Sequence, residues 1–191
     1  MLAMTAIELI KETRAGKIVT HCPHGLNTFL HEYPALGFSI PAVHHTELLA
    51  ELVAAGRLDL EPAAAASVAY HEPCNLARAG RPTAAALQVL GGRAVLPPQS
   101  GVRTFCCGGG GANAFYQVEQ EETRISALRY DQLTATGADQ VAVACPHCLT
   151  MLRDAAGAHG AEAPQVLDVA EVLHQRLRAG RDPAVAVAED S

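Results

Sequence analysis

The feature that most constrains this chain is a set of five cysteines in three short segments, each of which follows a short apolar, strand-like run. The five are Cys74, the vicinal pair Cys106 and Cys107, and the pair Cys145 and Cys148 of a Cys-Pro-His-Cys turn. Cysteine binds iron or zinc as the thiolate, and a Cys-x-x-Cys turn directs two sulfurs to one centre. One such turn would be a weak indication. Three segments together predict a single metal centre, and we take that centre as the function.

Two kinds of centre fit this ligand count. A structural zinc ion takes four ligands and would be satisfied by Cys74, one cysteine of the vicinal pair, Cys145 and Cys148, which leaves one thiol idle. An iron–sulfur cluster with several irons can use all five thiolates. The glycines at 108–111 can bring backbone N–H groups close to the sulfurs, where hydrogen bonds tune a reduction potential. We therefore favour the cluster and keep zinc as the alternative.

A vicinal disulfide and metal-free buried thiols fit the adjacent cysteines less well. A disulfide between Cys106 and Cys107 would be strained, because neighbouring Cα atoms lie only about 3.8 Å apart. Buried thiols without a metal are common for a single cysteine but improbable for five that converge. The glycine run is not a phosphate loop, since no Gly-Lys-Ser/Thr follows it.

Composition and charge exclude several classes of protein. The 191 residues are 49% hydrophobic, which is enough for a substantial core. A formal net charge of −6 provides no basic patch for nucleic acid, so we expect partners to be proteins or small redox molecules. Six cysteines are too few for a disulfide scaffold, and the N-terminus lacks the pattern of a signal peptide, which predicts a cytoplasmic location. No apolar run approaches the ~20 residues of a transmembrane segment.

Strand-like and helical segments alternate along the chain. Strands are predicted at 17–20, 43–45, 67–71, 93–96, 140–144 and 165–167, and helices at 1–16, 26–33, 46–55, 82–90, 112–136, 149–156 and 169–178. This alternation predicts an α/β fold with a mostly parallel sheet and flanking helices. The cysteines fall at the carboxyl ends of strands, where ligands of such sheets gather.

The sequence also resembles itself at a separation of about 123 residues, because residues 22–26 match residues 145–149, each after an apolar strand. Gly25 then stands where Cys148 stands in the second copy. The match predicts a remnant of a first module at 1–60, a complete module at 61–179 and a disordered polar tail at 180–191. The first module would be truncated at its N-terminus.

The histidines and arginines near the cysteines receive ordinary interpretations. His24 and His147 lie inside the two turns and are either ligands, proton donors or residues beside the site; we favour the last. His44, His45 and His71 are expected to be structural. Arg78 and Arg81 follow Cys74 and would neutralise a cluster or bind an anion, although solvated arginines are more common.

Three stretches, at 70–74, 105–111 and 144–148, resemble the cysteine-rich "CCG" domain. This domain occurs in the B subunit of heterodisulfide reductase and in the iron–sulfur subunits of glycolate oxidase, lactate-utilisation and anaerobic glycerol-3-phosphate dehydrogenase systems. The resemblance covers residues 17–178. It implies that one noncubane 4Fe-4S cluster is held by Cys74, Cys106, Cys107, Cys145 and Cys148. Family members usually carry two such domains.

The resemblance further implies an oxidoreductase subunit that transfers electrons between a partner subunit, such as a flavoprotein dehydrogenase, and a quinone, a thiol–disulfide couple or another acceptor. Membrane association would then be through a partner. The alternative is a zinc-stabilised assembly module without redox activity. A third expectation is a fragment that needs the missing first module to function.

Overall fold

The computed structural model describes residues 1–62, 66–80, 83–113, 115 and 123–178. Its strands are β1 (Ile18–Thr20), β2 (Ala42–His44), β3 (Val68–His71), β4 (Ala94–Val95), β5 (Gln140–Val143) and β6 (Gln165–Asp168). Its α-helices are α1 (Leu2–Thr13), α2 (Pro23–Asn27), α3 (His45–Ala54), α4 (Cys74–Ala77), α5 (Ala84–Leu90), α6 (Ile125–Thr134), α7 (Pro146–Gly157) and α8 (Val169–His174). Arg81, the predicted helix start at Pro82 and the predicted tail at 180–191 lie outside the described residues.

The strands form two parallel sheets. Four of them lie in the order β4, β3, β5, β6, and β1 pairs with β2. The two central strands, β3 and β5, consist almost wholly of buried residues, as is typical of a parallel sheet covered on both faces. The predicted α/β class with a parallel sheet and flanking helices is confirmed.

Two apolar layers cover the larger sheet. Side chains alternate along β5, so that Val141 and Val143 belong to the layer with α6 and α7, while Ala142 belongs to the layer with α3, α5 and α8. Leu133 and Leu152 are fully buried in the first layer, and a leucine buried in this way contributes about 1.5–3 kcal/mol. This core packs against both faces of β3 and β5 and so positions their carboxyl ends.

The repeat seen in the sequence has a structural counterpart. The order strand, cysteine turn, helix, strand, helix occurs first in β1, α2, β2 and α3 and again in β5, α7, β6 and α8. In both halves the second strand is followed by a helix whose third residue, Glu47 or Glu171, accepts a hydrogen bond of 2.7 Å from the backbone N–H of the N-cap residue. The module boundaries themselves stay a prediction.

Several predicted helices differ in their bounds. Among the described residues, the helix predicted over 112–136 is shorter: Gly110–Ala112 forms a 3₁₀ turn, Arg124 is extended and α6 begins at Ile125, while residues 114 and 116–122 lie outside the described ranges. The pattern did not reveal this because residues 112–124 contain no proline to stop a helix. Conversely, α7 begins at Pro146 rather than 149, since proline is favoured in the first turn of a helix. Within the described ranges, no helix is long and apolar enough to cross a membrane.

Candidate metal centre

The five clustered cysteines lie at one edge of the larger sheet. Cys74 begins α4 just after β3, Cys145 is the N-cap of α7 just after β5, and Cys148 lies in the first turn of α7. Because β3 and β5 are neighbours, their carboxyl ends bring these three cysteines together. Contrary to the prediction from the sequence, the vicinal pair does not follow a strand; it lies in the loop before α6, after a 3₁₀ turn at Gly101–Arg103.

The thiols form a continuous row. Cys106 is in hydrogen-bond contact with both Cys74 and Cys107, and Cys148 is in contact with both Cys107 and Cys145. The order along the row is therefore Cys74, Cys106, Cys107, Cys148 and Cys145. The last three are buried, whereas Cys74 and Cys106 are partly exposed. All five cysteines that the sequence singles out thus meet at one place.

Hydrogen bonds between neighbouring thiols shift their pKa values in opposite directions. The pKa of Cys106 falls to about 2 because its sulfur accepts hydrogen bonds from Cys107 and Cys74. The pKa of Cys107 rises to about 11 because its thiol donates to Cys106. Cysteine binds metals as thiolate and releases its proton on binding, so metal ions would replace the shared protons.

Lowered and raised pKa values also alternate at the two ends of the row. The pKa of Cys145 falls to about 7 because it accepts a hydrogen bond from Cys148. The pKa of Cys148 is well above its usual value, first because of its hydrogen bonds with Cys107 and Cys145 and also because it is buried. The pKa of Cys74 is raised by its hydrogen bond to Cys106 and by partial burial.

The glycine run permits close packing around the vicinal pair. Gly108 has a φ of +83° and donates its N–H to the sulfur of Cys106 at 3.2 Å. A Cβ on Gly109 would lie 3.2 Å from Cγ of Met151 and 3.6 Å from the sulfur of Cys107. A side chain at 109 would therefore require the side chain of Met151 to shift by a few tenths of an ångström.

His71, which the sequence does not distinguish from a structural histidine, contacts the row directly. Its Nε2 lies 3.3 Å from the sulfur of Cys148, and its Nδ1 lies 3.0 Å from Nε of Arg129. A guanidinium group can only donate, so Nδ1 of His71 must accept and Nε2 must carry the proton. His71 therefore donates an N–H···S hydrogen bond to Cys148. Burial, together with the charge of Arg129, lowers the pKa of His71 to about 3, which keeps the ring neutral.

Arg129 places a positive charge beneath the thiols. Its side chain is 0% exposed, and the guanidinium also donates to the carbonyl of Gln99 at 3.1 Å and to Oε1 of Gln132 at 3.0 Å. Burial lowers the pKa of Arg129 to about 10, so it remains charged at neutral pH. A buried cation needs nearby negative charge; the carboxylate of Glu72 supplies most of it, and thiolates at Cys148 and Cys107 would add to it. An arginine on the buried face of α6 is the one sequence signal that would have revealed this arrangement.

Glu72 positions the loop that carries the vicinal pair. This residue is 3% exposed, and its carboxylate accepts hydrogen bonds from the hydroxyl of Thr83 at 2.5 Å and from the backbone N–H of Gly101. Its carbonyl accepts from the hydroxyl of Thr104 at 3.1 Å. The end of β3 is thereby tied to the segment 101–104, which leads directly into Cys106. Arg78, as expected, is exposed, and it donates to the carbonyl of Thr104 at 2.6 Å.

The first turn differs from the second in its surroundings. The sulfur of Cys22, the N-cap of α2, accepts a hydrogen bond from the N–H of Gly25 at 3.5 Å. The ring of His24 meets the ring of His147 edge to face, with centroids 5.4 Å apart. The side-chain amide nitrogen of Asn75 lies 2.8 Å from Nε2 of His24 and 3.6 Å from the sulfur of Cys74. Both histidines are exposed, and whether they act as ligands stays a prediction.

Comparison with known proteins identifies a matching family and several relatives of this chain. Residues 68–153 match the family described as "CCG: Cysteine-rich domain", and these residues include all five cysteines of the row. The "Probable membrane-anchored ferredoxin" of Chromohalobacter salexigens is 35% identical, with 100% of this chain and 29% of the relative covered. The "EtfAB:quinone oxidoreductase" of Syntrophomonas wolfei is 34% identical, with 84% of this chain and 24% of the relative covered.

A more distant relative is the D subunit of the "Dihydromethanophenazine:CoB--CoM heterodisulfide reductase" of Methanosarcina acetivorans, which is 29% identical, with 92% of this chain and 44% of the relative covered. The chain therefore spans less than a third of the length of the first two relatives and less than half of the third. The similarity extends beyond residues 68–153 and includes the first turn at Cys22.

Proposed function

Residues 68–153 belong to the CCG cysteine-rich domain family, and from this premise we propose that the chain is an iron–sulfur electron-transfer unit of an oxidoreductase. One 4Fe-4S cluster of noncubane type would be held by Cys74, Cys106, Cys107, Cys145 and Cys148. The observation that carries this proposal is the continuous row of five thiols, in which every cysteine contacts the next.

The row fits a multinuclear cluster better than a single zinc ion. Zinc in a structural site is complete with four ligands, so one of the five contacting thiols would remain without a role. The buried charge of Arg129, the N–H of His71 and the N–H of Gly108 all stabilise negative charge on sulfur. Such donors are typical surroundings of an iron–sulfur cluster and raise its reduction potential.

The chain's own residues would bind the cluster, set its potential and control access to it. A bound cluster supplies electron transfer. His71 and Gly108 hold two of the sulfurs by hydrogen bonds, and Arg129 keeps the imidazole of His71 in the tautomer that donates to Cys148. Since Cys74 and Cys106 are the partly exposed members of the row, an electron donor or acceptor would approach from their side.

The related oxidoreductases suggest what such partners are. One relative is named as an EtfAB:quinone oxidoreductase and another as a component of a heterodisulfide reductase. We propose that this chain works with other oxidoreductase subunits, a flavoprotein dehydrogenase among them, and that the acceptor is a quinone or a thiol–disulfide couple. Association with a membrane would be through such a partner, and one relative is named as a membrane-anchored ferredoxin.

The test is the metal content of protein purified without oxygen. Iron, zinc and acid-labile sulfide are measured on the same sample, together with the visible absorption and EPR spectra. We expect about four irons with sulfide per chain. About one zinc per chain without sulfide, in protein never exposed to air, would overturn the proposal and favour a structural zinc module.

A further inference from the structure

A second group of metal-binding side chains lies beside the row of thiols and is separate from it. The sulfur of Cys22, a ring nitrogen of His24 and a ring nitrogen of His147 all lie within 4.8 Å of one another. Cys22 and His24 come from the first turn, whereas His147 comes from the second. The group therefore exists only because the fold brings the two turns face to face.

This combination of donors is selective for certain metals. One thiolate and two neutral imidazoles suit zinc and similar divalent transition metals, whereas magnesium and calcium prefer oxygen ligands. With bonds of about 2.0–2.3 Å, the donor atoms of a tetrahedral zinc site lie about 3.3–3.8 Å apart. Donors that already lie within 4.8 Å need to approach by about 1 Å, which side-chain rotation can provide.

We propose that Cys22, His24 and His147 form a second, mononuclear site for a divalent transition metal such as Zn²⁺. The site has three protein ligands, so its fourth position faces solvent, where His24 and His147 are exposed. Water or an external anionic ligand, such as a thiolate, would occupy that position. An ion bound here joins the turn after β1 to the start of α7 and thereby connects the two halves of the repeat.

Asn75 supports this site from behind. Its amide lies 2.8 Å from Nε2 of His24, which fixes the ring as the outer partners of metal-bound histidines do. The contact persists when an ion binds Nδ1 of His24, because Nε2 then carries the proton and donates to the side-chain oxygen of Asn75. Because the same amide lies 3.6 Å from the sulfur of Cys74, one side chain connects the proposed site to the row of thiols.

The experiment uses Co²⁺ as a spectroscopic probe for Zn²⁺ on the full chain with its iron–sulfur complement in place. We expect one equivalent of Co²⁺ to bind and to produce thiolate-to-cobalt absorption. The substitutions Cys22→Ser, His24→Gln and His147→Gln should each weaken Co²⁺ binding by at least about 10–100-fold, the loss that changes beside a ligand already cause. His31→Gln, at an exposed histidine that is not part of the group, is the matched control and should bind Co²⁺ like the wild type.

Two results would overturn the site. The first is that the wild-type protein, with its iron in place, binds no Co²⁺. The second is that none of the three substitutions weakens the binding of Co²⁺. Iron and sulfide are measured on the same samples. If the wild-type protein contains no iron but binds one Co²⁺ that the Cys22→Ser variant does not bind, the proposed function is contradicted and this metal site is supported. The two proposals can therefore fail separately.

Discussion

The two Cys-Pro-His turns of this protein share a local structure but differ in what surrounds them. Each follows a parallel strand and begins a helix at its proline. Cys22 is partly exposed and its sulfur lies within 4.8 Å of ring nitrogens of two histidines, whereas Cys145 is 1% exposed and ends a row of five thiols. A turn sequence therefore supplies a thiol at a defined position, and the neighbouring strands decide what that thiol can bind.

The difference arises from the sheet. The second turn follows β5, whose neighbour β3 ends in His71 and leads to Cys74. The first turn follows β1, which within the described part of the chain pairs with β2 alone. Beyond β2 comes α3 rather than a cysteine. The second turn thus gains its partners from a strand that the first turn does not have.

The largest expected effect separates the two turns directly. Cys107 lies in the middle of the row, so Cys107→Ala should abolish a five-ligand cluster, whereas Cys22→Ser should leave iron content unchanged. The measurement is iron and sulfide per chain, with unfolding followed by circular dichroism to show that both variants fold. Equal iron in wild type and Cys107→Ala would contradict the five-ligand assignment, because the cluster would then not need Cys107. A four-cysteine zinc site, by contrast, can survive this change.

Much of this comparison could be predicted from sequence. The apolar runs before each cysteine predict β3 and β5, and parallel strands gather their carboxyl-terminal residues at one edge. The convergence of Cys74, Cys145 and Cys148 follows from that rule, whereas Cys106 and Cys107 come from a loop and not from the end of a strand. Which of them bind a cluster stays a prediction, because the contacts between thiols show proximity and not the identity of the metal.

The hydrogen-bond partners of the site could not be read from the sequence. The role of His71 depends on Arg129, which approaches from α6 and lies far from it along the chain. That contact fixes the tautomer of the imidazole, and residues next to His71 in the sequence do not indicate it. Similarly, His24 and His147 meet only because two halves of the chain face each other, which a single pass along the sequence does not reveal.

The residues that precede α3 and α8 differ in how they affect stability at low pH, and this difference can be tested. His44 and Asp168 are the corresponding N-cap residues. Burial, followed by the nearby His45, lowers the pKa of His44 to about 4. The unfolded chain therefore binds a proton on His44 more readily, so this contribution to stability is present above pH 6.5 and is lost as the pH falls from 6.5 towards 4.

We expect the wild type to lose about 2 kcal/mol between about pH 7 and about pH 5 through His44, by the linkage of pKa to unfolding. His44→Asn removes this titration, so its stability should fall less steeply over the same range. Denaturant unfolding at each pH measures the difference. Parallel pH profiles for the two proteins would show that His44 does not titrate in this way. His174→Asn, at an exposed histidine, is the matched control.

A smaller effect, on the reduction potential, is expected at His71. Its N–H donates to a sulfur of the second turn and has no counterpart at the first. His71→Leu removes the hydrogen bond to Cys148 and should lower the reduction potential of a bound cluster by roughly 60 mV, which corresponds to about 1.4 kcal/mol for one electron. His71→Gln retains an N–H donor and should recover part of that shift. Redox titration followed by EPR measures both. An unchanged potential in His71→Leu would contradict the N–H···S bond.

The smallest change in stability is expected where the first turn is made to resemble the second. A Cβ on Gly25 would meet Cβ of Cys22 at 3.7 Å, Oγ1 of Thr20 at 3.8 Å and the sulfur of Cys22 at 4.0 Å, all ordinary contact distances. Gly25 does not have a positive φ, so a side chain is not strained there. Gly25→Cys should therefore change the free energy of unfolding by only about 0.5 kcal/mol or less, as is usual away from the core.

The effect of Gly25→Cys on metal binding shows whether the missing cysteine or the surroundings of the first turn prevent it from binding a cluster. A second thiol beside Cys22 restores the Cys-x-x-Cys spacing and should tighten Co²⁺ binding at the group formed with His24 and His147, but it should not add iron or sulfide. The reason is that the first turn would still lack the partners that β3 and the vicinal pair give to the second. A gain of about four irons per chain would show instead that Gly25 alone prevents a second cluster, and that the surroundings of a turn matter less than its sequence. Gly25→Ser, which adds a side chain of similar size with a harder ligand atom, is the control for both outcomes.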